Sequence, residues 1–191
     1  MIDCKKVHVC ISGYGQSASR PDGIYDLSVR LADLGVGEVM YLEWDADFWS
    51  LAVDLLSRRE HFGGLSVNIY AYSWGMGWGA MQLCRYLKKY GILVNCIVSS
   101  DGVFRHPKWW MRWTSLLHRD WPSFSPVIRV PSNVLSVIPF HQTICVPMGH
   151  RIVGGRYSHS VRSSIELPVT HLAMDSWEDF LDVCLDEALK L

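Results

Sequence analysis

LSVNIYAYSWGMGWGA, residues 65–80, decides the fold. Its first part, Leu65 to Ser73, is an apolar run bounded by a glycine pair before it and a glycine-rich stretch after it, which predicts a buried strand. From Met76 the spacing becomes helical and continues to Gly91, with basic residues and a glycine at the close. Ser73 therefore sits between a strand and a helix. Ala71 lies two residues before it and Gly75 two residues after it, and both are small. A serine in that place is either a helix cap or a nucleophile on a sharp, strained turn that has no room for bulk on either side.

The flanking sequence repeats the same alternation. Upstream, Val7–Gly13 and Glu38–Trp44 are strand-like, while Ile24–Gly35 and Asp45–Arg59 have helical spacing. The second helix opens on an aspartate and ends on arginines, an order that suits the helix dipole. Downstream, Leu93–Asp101, Asn133–Ile144 and Val161–Leu167 read as strands. Ser176–Leu191 reads as a closing amphipathic helix capped by Ser176. Strands and helices in alternation, with continuous apolar strands, predict an α/β three-layer sandwich: a mostly parallel central sheet with helices on both faces. Ligands of such sheets bind at the carboxyl ends of the strands.

The 191 residues suit one domain, 1–191, with a tryptophan-rich insertion at about 104–130. Nearly half of them are apolar and the net charge is −1, which argues against a general nucleic-acid binder. No apolar run reaches the roughly 18–20 residues of a membrane span. The apolar stretch after Lys5 and Lys6 reads as a strand, not a signal peptide. Six scattered cysteines without a CxxC pair suggest small core residues and a reducing, cytoplasmic setting.

Two other site chemistries are weaker. GYGQSA, Gly13 to Ala18, follows a strand and fits the loose dinucleotide-binding pattern. That pattern needs a helix opening directly on the loop, yet Ser19–Gly23 intervenes with a turn signal, and Glu43 lies too far along to serve the ribose. No phosphate-binding GxxxxGK[ST] loop and no HxxxH or HExxH metal motif occurs, so neither a metal nor a cofactor is expected. The glycine loop can instead aim backbone N–H groups at a developing oxyanion.

A nucleophilic serine needs a base, and the base an orienting acid. SSDGV ends the next strand and puts Asp101 at the same sheet edge as Ser73. Eight histidines compete for the role of base. His8 and His61 precede Ser73, His106 and His118 lie in the insertion, and His141 falls in a strand. His150 and His159 sit in a loop rich in glycine, arginine and serine. His171, after the last strand and before the closing helix, fits best, with His150 and His159 behind it. Glu166 and Asp175 are the alternatives to Asp101, though both lie awkwardly near His171 in sequence.

ISGYG, AYSWG, SSDGV and VTHLAMDS, in this order, resemble the α/β-hydrolase superfamily in a small lipase-, esterase- or thioesterase-like form, over nearly the whole chain. The chain also looks like small hydrolases of phage and bacterial genomes, loosely matched by Ser132–His150. It departs from the family pattern in having Ala71 for glycine and Ser12 for histidine before the first glycine. The resemblance implies Ser73 as nucleophile, Asp101 as acid and His171 as base, with the N–H groups of Tyr14 and Trp74 as oxyanion donors. It implies a small acyl ester or thioester substrate. The alternatives are a non-catalytic binding module on the same fold and, less favoured, a nucleotide-binding enzyme. Trp109, Trp113, Leu116 and Leu117 share one helical face in the insertion. Trp109 and Trp113 are candidate substrate-binding residues, and the stripe reads equally as an acyl lid, a lipid-contacting surface or ordinary cap packing.

Overall fold

The computed structural model describes residues 5–20, 22–106, 108, 110–111, 126–144, 148–154 and 161–190. Six strands form the central sheet: β1 (Lys5–Ile11), β2 (Glu38–Leu42), β3 (Leu65–Tyr72), β4 (Val94–Ser100), β6 (Val134–Gln142) and β8 (Ile165–Leu167). Their order is β2-β1-β3-β4-β6-β8, and every pairing is parallel. The expected three-layer α/β sandwich is thus present, and its sheet is entirely parallel.

Helices α1 (Gly23–Asp33) and α4 (Glu178–Leu189) cover one face, and α2 (Phe48–Phe62) and α3 (Met81–Lys89) the other. Alternate strand residues feed the two cores. Val9, Ile69 and Ile97 pack with Leu55 and Leu83 on the α2/α3 side. Tyr70, Val98 and Phe140 pack with Leu27 and Phe180 on the α1/α4 side. Phe140 and Phe180 meet edge to face at 5.6 Å, a geometry that adds about 1 kcal/mol beyond burial of their area.

Several boundaries differ from the sequence reading. The helix expected from Met76 to Gly91 begins as a π-helical turn, Gly75–Ala80, before α3. Asp47, not Asp45, caps α2 by accepting a hydrogen bond from the Ser50 N–H. Ser176 does not cap α4: its hydroxyl donates to the Ala173 carbonyl, and Trp177 takes the cap position without a side-chain bond. Of the strand expected at Val161–Leu167, Ile165–Leu167 forms β8, and Val161 makes a single parallel bridge to Val137 of β6. Two strands are additions. β5 (Val127–Val130), at the end of the tryptophan-rich segment, pairs in parallel with β7 (Arg151–Gly154) in a small second sheet whose Ile128, Val130 and Ile152 enter the core. No helix of the described residues is long and apolar enough to cross a membrane.

The chain runs from β1 outward to β2, then returns to place β3 on β1's other side. The loops leaving β1 and β3 diverge at this switch point and open a crevice at the carboxyl edge. Ser73 and the Gly13 loop both lie there.

Candidate active site

Ser73 has φ +51° and Asp101 φ +43°, and no other non-glycine residue among those described has a positive φ. Left-handed backbone costs an L-residue roughly 1–2 kcal/mol, so surrounding structure must hold both turns in place. The hydrogen bonds that do so are explicit. The Ser73 N–H donates to the Ser100 carbonyl at 3.0 Å, and the Val103 N–H donates to the Ser73 carbonyl at 2.9 Å. The Asp101 N–H donates to the Phe140 carbonyl at 2.8 Å. The turns at the ends of β3 and β4 are therefore stitched to each other.

The small residues after Ser73 follow from this crowding. A Cβ on Gly75 would lie 2.3 Å from the Ser12 carbonyl oxygen, and one on Gly77 would lie 2.0 Å from that of Val103. The π-helical turn carrying these glycines lies against two neighbouring loops, and such turns are rare and concentrated at functional sites.

His171 opens a single 3₁₀ turn, His171–Ala173, beyond β8. Its backbone carbonyl accepts a hydrogen bond from Tyr72 Oη at 2.8 Å, and its ring lies 5.1 Å from that of Tyr72. The imidazole Nε2 is 3.0 Å from Ser73 Oγ. Nδ1 makes a hydrogen bond to Asp101 Oδ2. Ser73, His171 and Asp101 thus form one hydrogen-bonded line, and all three are buried. Burial opposes ionisation of Asp101, but the neighbouring His141 imidazole, the hydrogen bond and charge of His171 and the Gln142 N–H outweigh it and hold the carboxyl at about 2. Asp101 is consequently a fixed anion at neutral pH, facing the side of His171 away from the serine.

Ser73 opens into a cavity of about 500 Å³, within the range of small-molecule sites. Tyr14 and Trp74 form one wall, their rings 4.6 Å apart, and Trp44 backs Trp74 at 4.9 Å. Gln16 shapes the loop: its Oε1 accepts from the Gly13 N–H, while its Nε2 donates to Asp175 Oδ2 at 2.8 Å. Tyr14 and Trp74 thus line the cavity from the β1 and β3 sides of Ser73.

No family model matches the chain, and no curated protein is significantly similar to it.

The remaining sequence candidates separate cleanly. Asp175 bonds to Gln16 and to the Gly23 N–H, which starts α1, and not to His171. Glu166 lies in β8, paired with His141 across the sheet. His150 Nδ1 accepts the Phe104 N–H at 3.2 Å, and His106 Nδ1 accepts the Lys108 N–H. His8 is buried against Tyr70 Oη. No helix opens on the Gly13 loop. The start of α1 is occupied by Asp22 on the Tyr25 N–H and Asp175 on the Gly23 N–H, which leaves a pyrophosphate no seat there. Among the described residues no three His, Cys, Asp or Glu side chains gather as a metal site requires. Trp109, Trp113, His118 and His159 lie outside the described residues.

Two residues of the site were not singled out from sequence. His141, read there as a strand residue, puts Nδ1 3.7 Å from Asp101 Oδ1. Arg105 lines the cavity, its guanidinium carbon 6.0 Å from the Trp74 ring centroid. Pairing of Ser100 with Phe140 puts Asp101 and His141 side by side, but that register exists only once the strand order is known.

Proposed function

We propose that this chain is a serine hydrolase of the α/β-hydrolase type that cleaves a small ester or thioester through an acyl-enzyme on Ser73. The observation that carries the reading is the Ser73 Oγ–His171 Nε2 contact of 3.0 Å on a serine held at φ +51°. In this reaction Ser73 Oγ attacks the acyl carbonyl carbon while His171 Nε2 takes the hydroxyl proton. Asp101 keeps Nδ1–H of His171 oriented and stabilises the imidazolium, without taking the proton itself. The carbonyl electron pair moves to oxygen, where the N–H groups of Tyr14 and Trp74 receive it. Collapse of the tetrahedral adduct expels the alcohol or thiol, which takes its proton from His171. Water then attacks the acyl-enzyme by the same route, and the acid product and Ser73 Oγ–H are restored.

The four described cysteines are free and buried, which agrees with a reducing compartment, and we place the protein in the cytoplasm on that ground. A fluorophosphonate probe tests the hydrolase reading. Labelling of Ser73 that disappears in Ser73→Ala supports it. Folded protein that resists the probe makes the chain a non-catalytic binder on a hydrolase-like fold.

A further inference from the structure

Acyl transfer by Ser73, His171 and Asp101 does not need a permanent positive charge in the cavity, yet the exposed Arg105 lines it. Among the described residues no carboxylate does. Arg105 makes no ion pair with a described acidic residue. The backbone leading to it is nevertheless anchored. The preceding residues are anchored by the Val103 N–H on the Ser73 carbonyl and the Phe104 N–H on His150 Nδ1. The guanidinium lies over Trp74, itself held between Tyr14 and Trp44. A planar cation braced on an aromatic ring keeps its donor fork available, and the natural partner of that fork is a planar or tetrahedral anion.

We propose that Arg105 is a specificity-determining residue, selecting esters or thioesters that carry a carboxylate or phosphate group within reach of its guanidinium. This rests on the ester-hydrolase reading of the same cavity. The remaining walls agree with a substrate of mixed character. Tyr14 is 65% and Leu172 85% exposed at the rim, apolar surface for the uncharged part of such a molecule.

Matched substrate pairs test it. 4-Acetoxybenzoate against its methyl ester puts the anion on the leaving group. Mono-4-nitrophenyl adipate against 4-nitrophenyl hexanoate puts it on the acyl group, and 4-acetoxyphenyl phosphate against 4-acetoxyanisole replaces carboxylate by phosphate. The wild type should favour the anionic member of at least one pair by about tenfold in kcat/KM, the size of a charge-assisted hydrogen bond. Arg105→Gln should bring that ratio close to one, Arg105→Lys should retain part of it, and 0.5 M salt should shrink it in the wild type. A wild-type ratio near one in all three pairs, or an equal loss for both members in Arg105→Gln, overturns the proposal. Calorimetric binding of the same esters to Ser73→Ala and to Ser73→Ala/Arg105→Gln separates the two readings. Arg105-dependent binding in the Ser73→Ala pair, with a wild type that turns nothing over, keeps the anion site and removes the hydrolase. Turnover without preference does the reverse, and neither binding nor turnover removes both.

Discussion

Asp101 is shared by two imidazoles: its Oδ2 bonds to His171 Nδ1, and its Oδ1 lies 3.7 Å from His141 Nδ1. The Gly149 N–H also donates to Oδ1, at 2.9 Å. A Cβ on Gly149 would lie 2.3 Å from that oxygen, so only glycine lets this backbone reach the carboxylate. The acid is therefore gripped from both sides.

The grip has a pH signature. The Asp101 carboxyl is held at about 2, below its unfolded value of roughly 3.9. A depressed carboxyl stabilises the fold above the unfolded value, and that contribution disappears as pH falls from about 4 towards 2. It amounts to about 2–3 kcal/mol at neutral pH. Asp22 and Asp175 have the opposite sign, because burial raises both. Comparison of Tm for wild type and Asp101→Asn isolates the first effect: the gap should be full at pH 6 and close towards pH 2.5. A gap constant across that range removes the assignment.

For catalysis, Asp101→Asn should lower kcat by about 10³–10⁴-fold with little change in KM, since the amide favours the wrong tautomer of His171. Replacing Asp175 or Glu166 by its amide should cost far less, because neither bonds to His171 in the structure. Steady-state kinetics on a neutral aryl ester decide, and a larger loss from either of those two would displace Asp101.

Ser73 carries backbone strain, so activity and stability should move in opposite directions there. Ser73→Gly removes the left-handed penalty of φ +51° and should raise stability by about 1 kcal/mol while eliminating ester hydrolysis. Ser73→Ala should abolish turnover with an almost unchanged melting curve. Turnover well above background in either variant excludes Ser73 as nucleophile.

Gly75 and Gly15 provide a contrast between crowding and conformation. Gly75→Ala forces a methyl group to 2.3 Å from the Ser12 carbonyl and should cost about 3 kcal/mol or more, with loss of the elbow. At Gly15, φ +77°, a methyl group would meet nothing within 4 Å, so Gly15→Ala should cost only about 1 kcal/mol. Denaturant midpoints of the two variants test the order.

The alternation of strands and helices was readable because the inner strands β3 and β4 are buried along nearly their whole length, as strands covered on both faces are. The serine, aspartate and histidine were readable because each falls just beyond such a run, where the chain must turn. β5 and β7 were not. VIRV and RIVG are four residues each, and they pair with each other across a long sequence gap instead of with the main sheet. The π-helical turn was hidden for another reason: apolar spacing does not separate it from an α-helix, and its cause is the close approach of Ser12 and Val103 to Gly75 and Gly77. Ser176 satisfied every local rule for a cap, but the tight turn after His171 claims its hydroxyl.

The stitching of the Ser73 and Asp101 turns has a consequence for motion. Their mutual backbone bonds, through Ser100 and Val103, make Ser73 and Asp101 parts of one rigid wall. His171 arrives separately, on a short turn tied by Tyr72 Oη and by its two side-chain partners. In deuterium uptake, the amides of Ser73, Asp101 and Val103 should exchange slowly and together, at the pace of the sheet. Those of Ala173 and Met174, bonded only within their own turn, should exchange sooner. Of the three residues, His171 is thus the one held by the fewest backbone bonds to the sheet, and its turn should be the first part of the site to open.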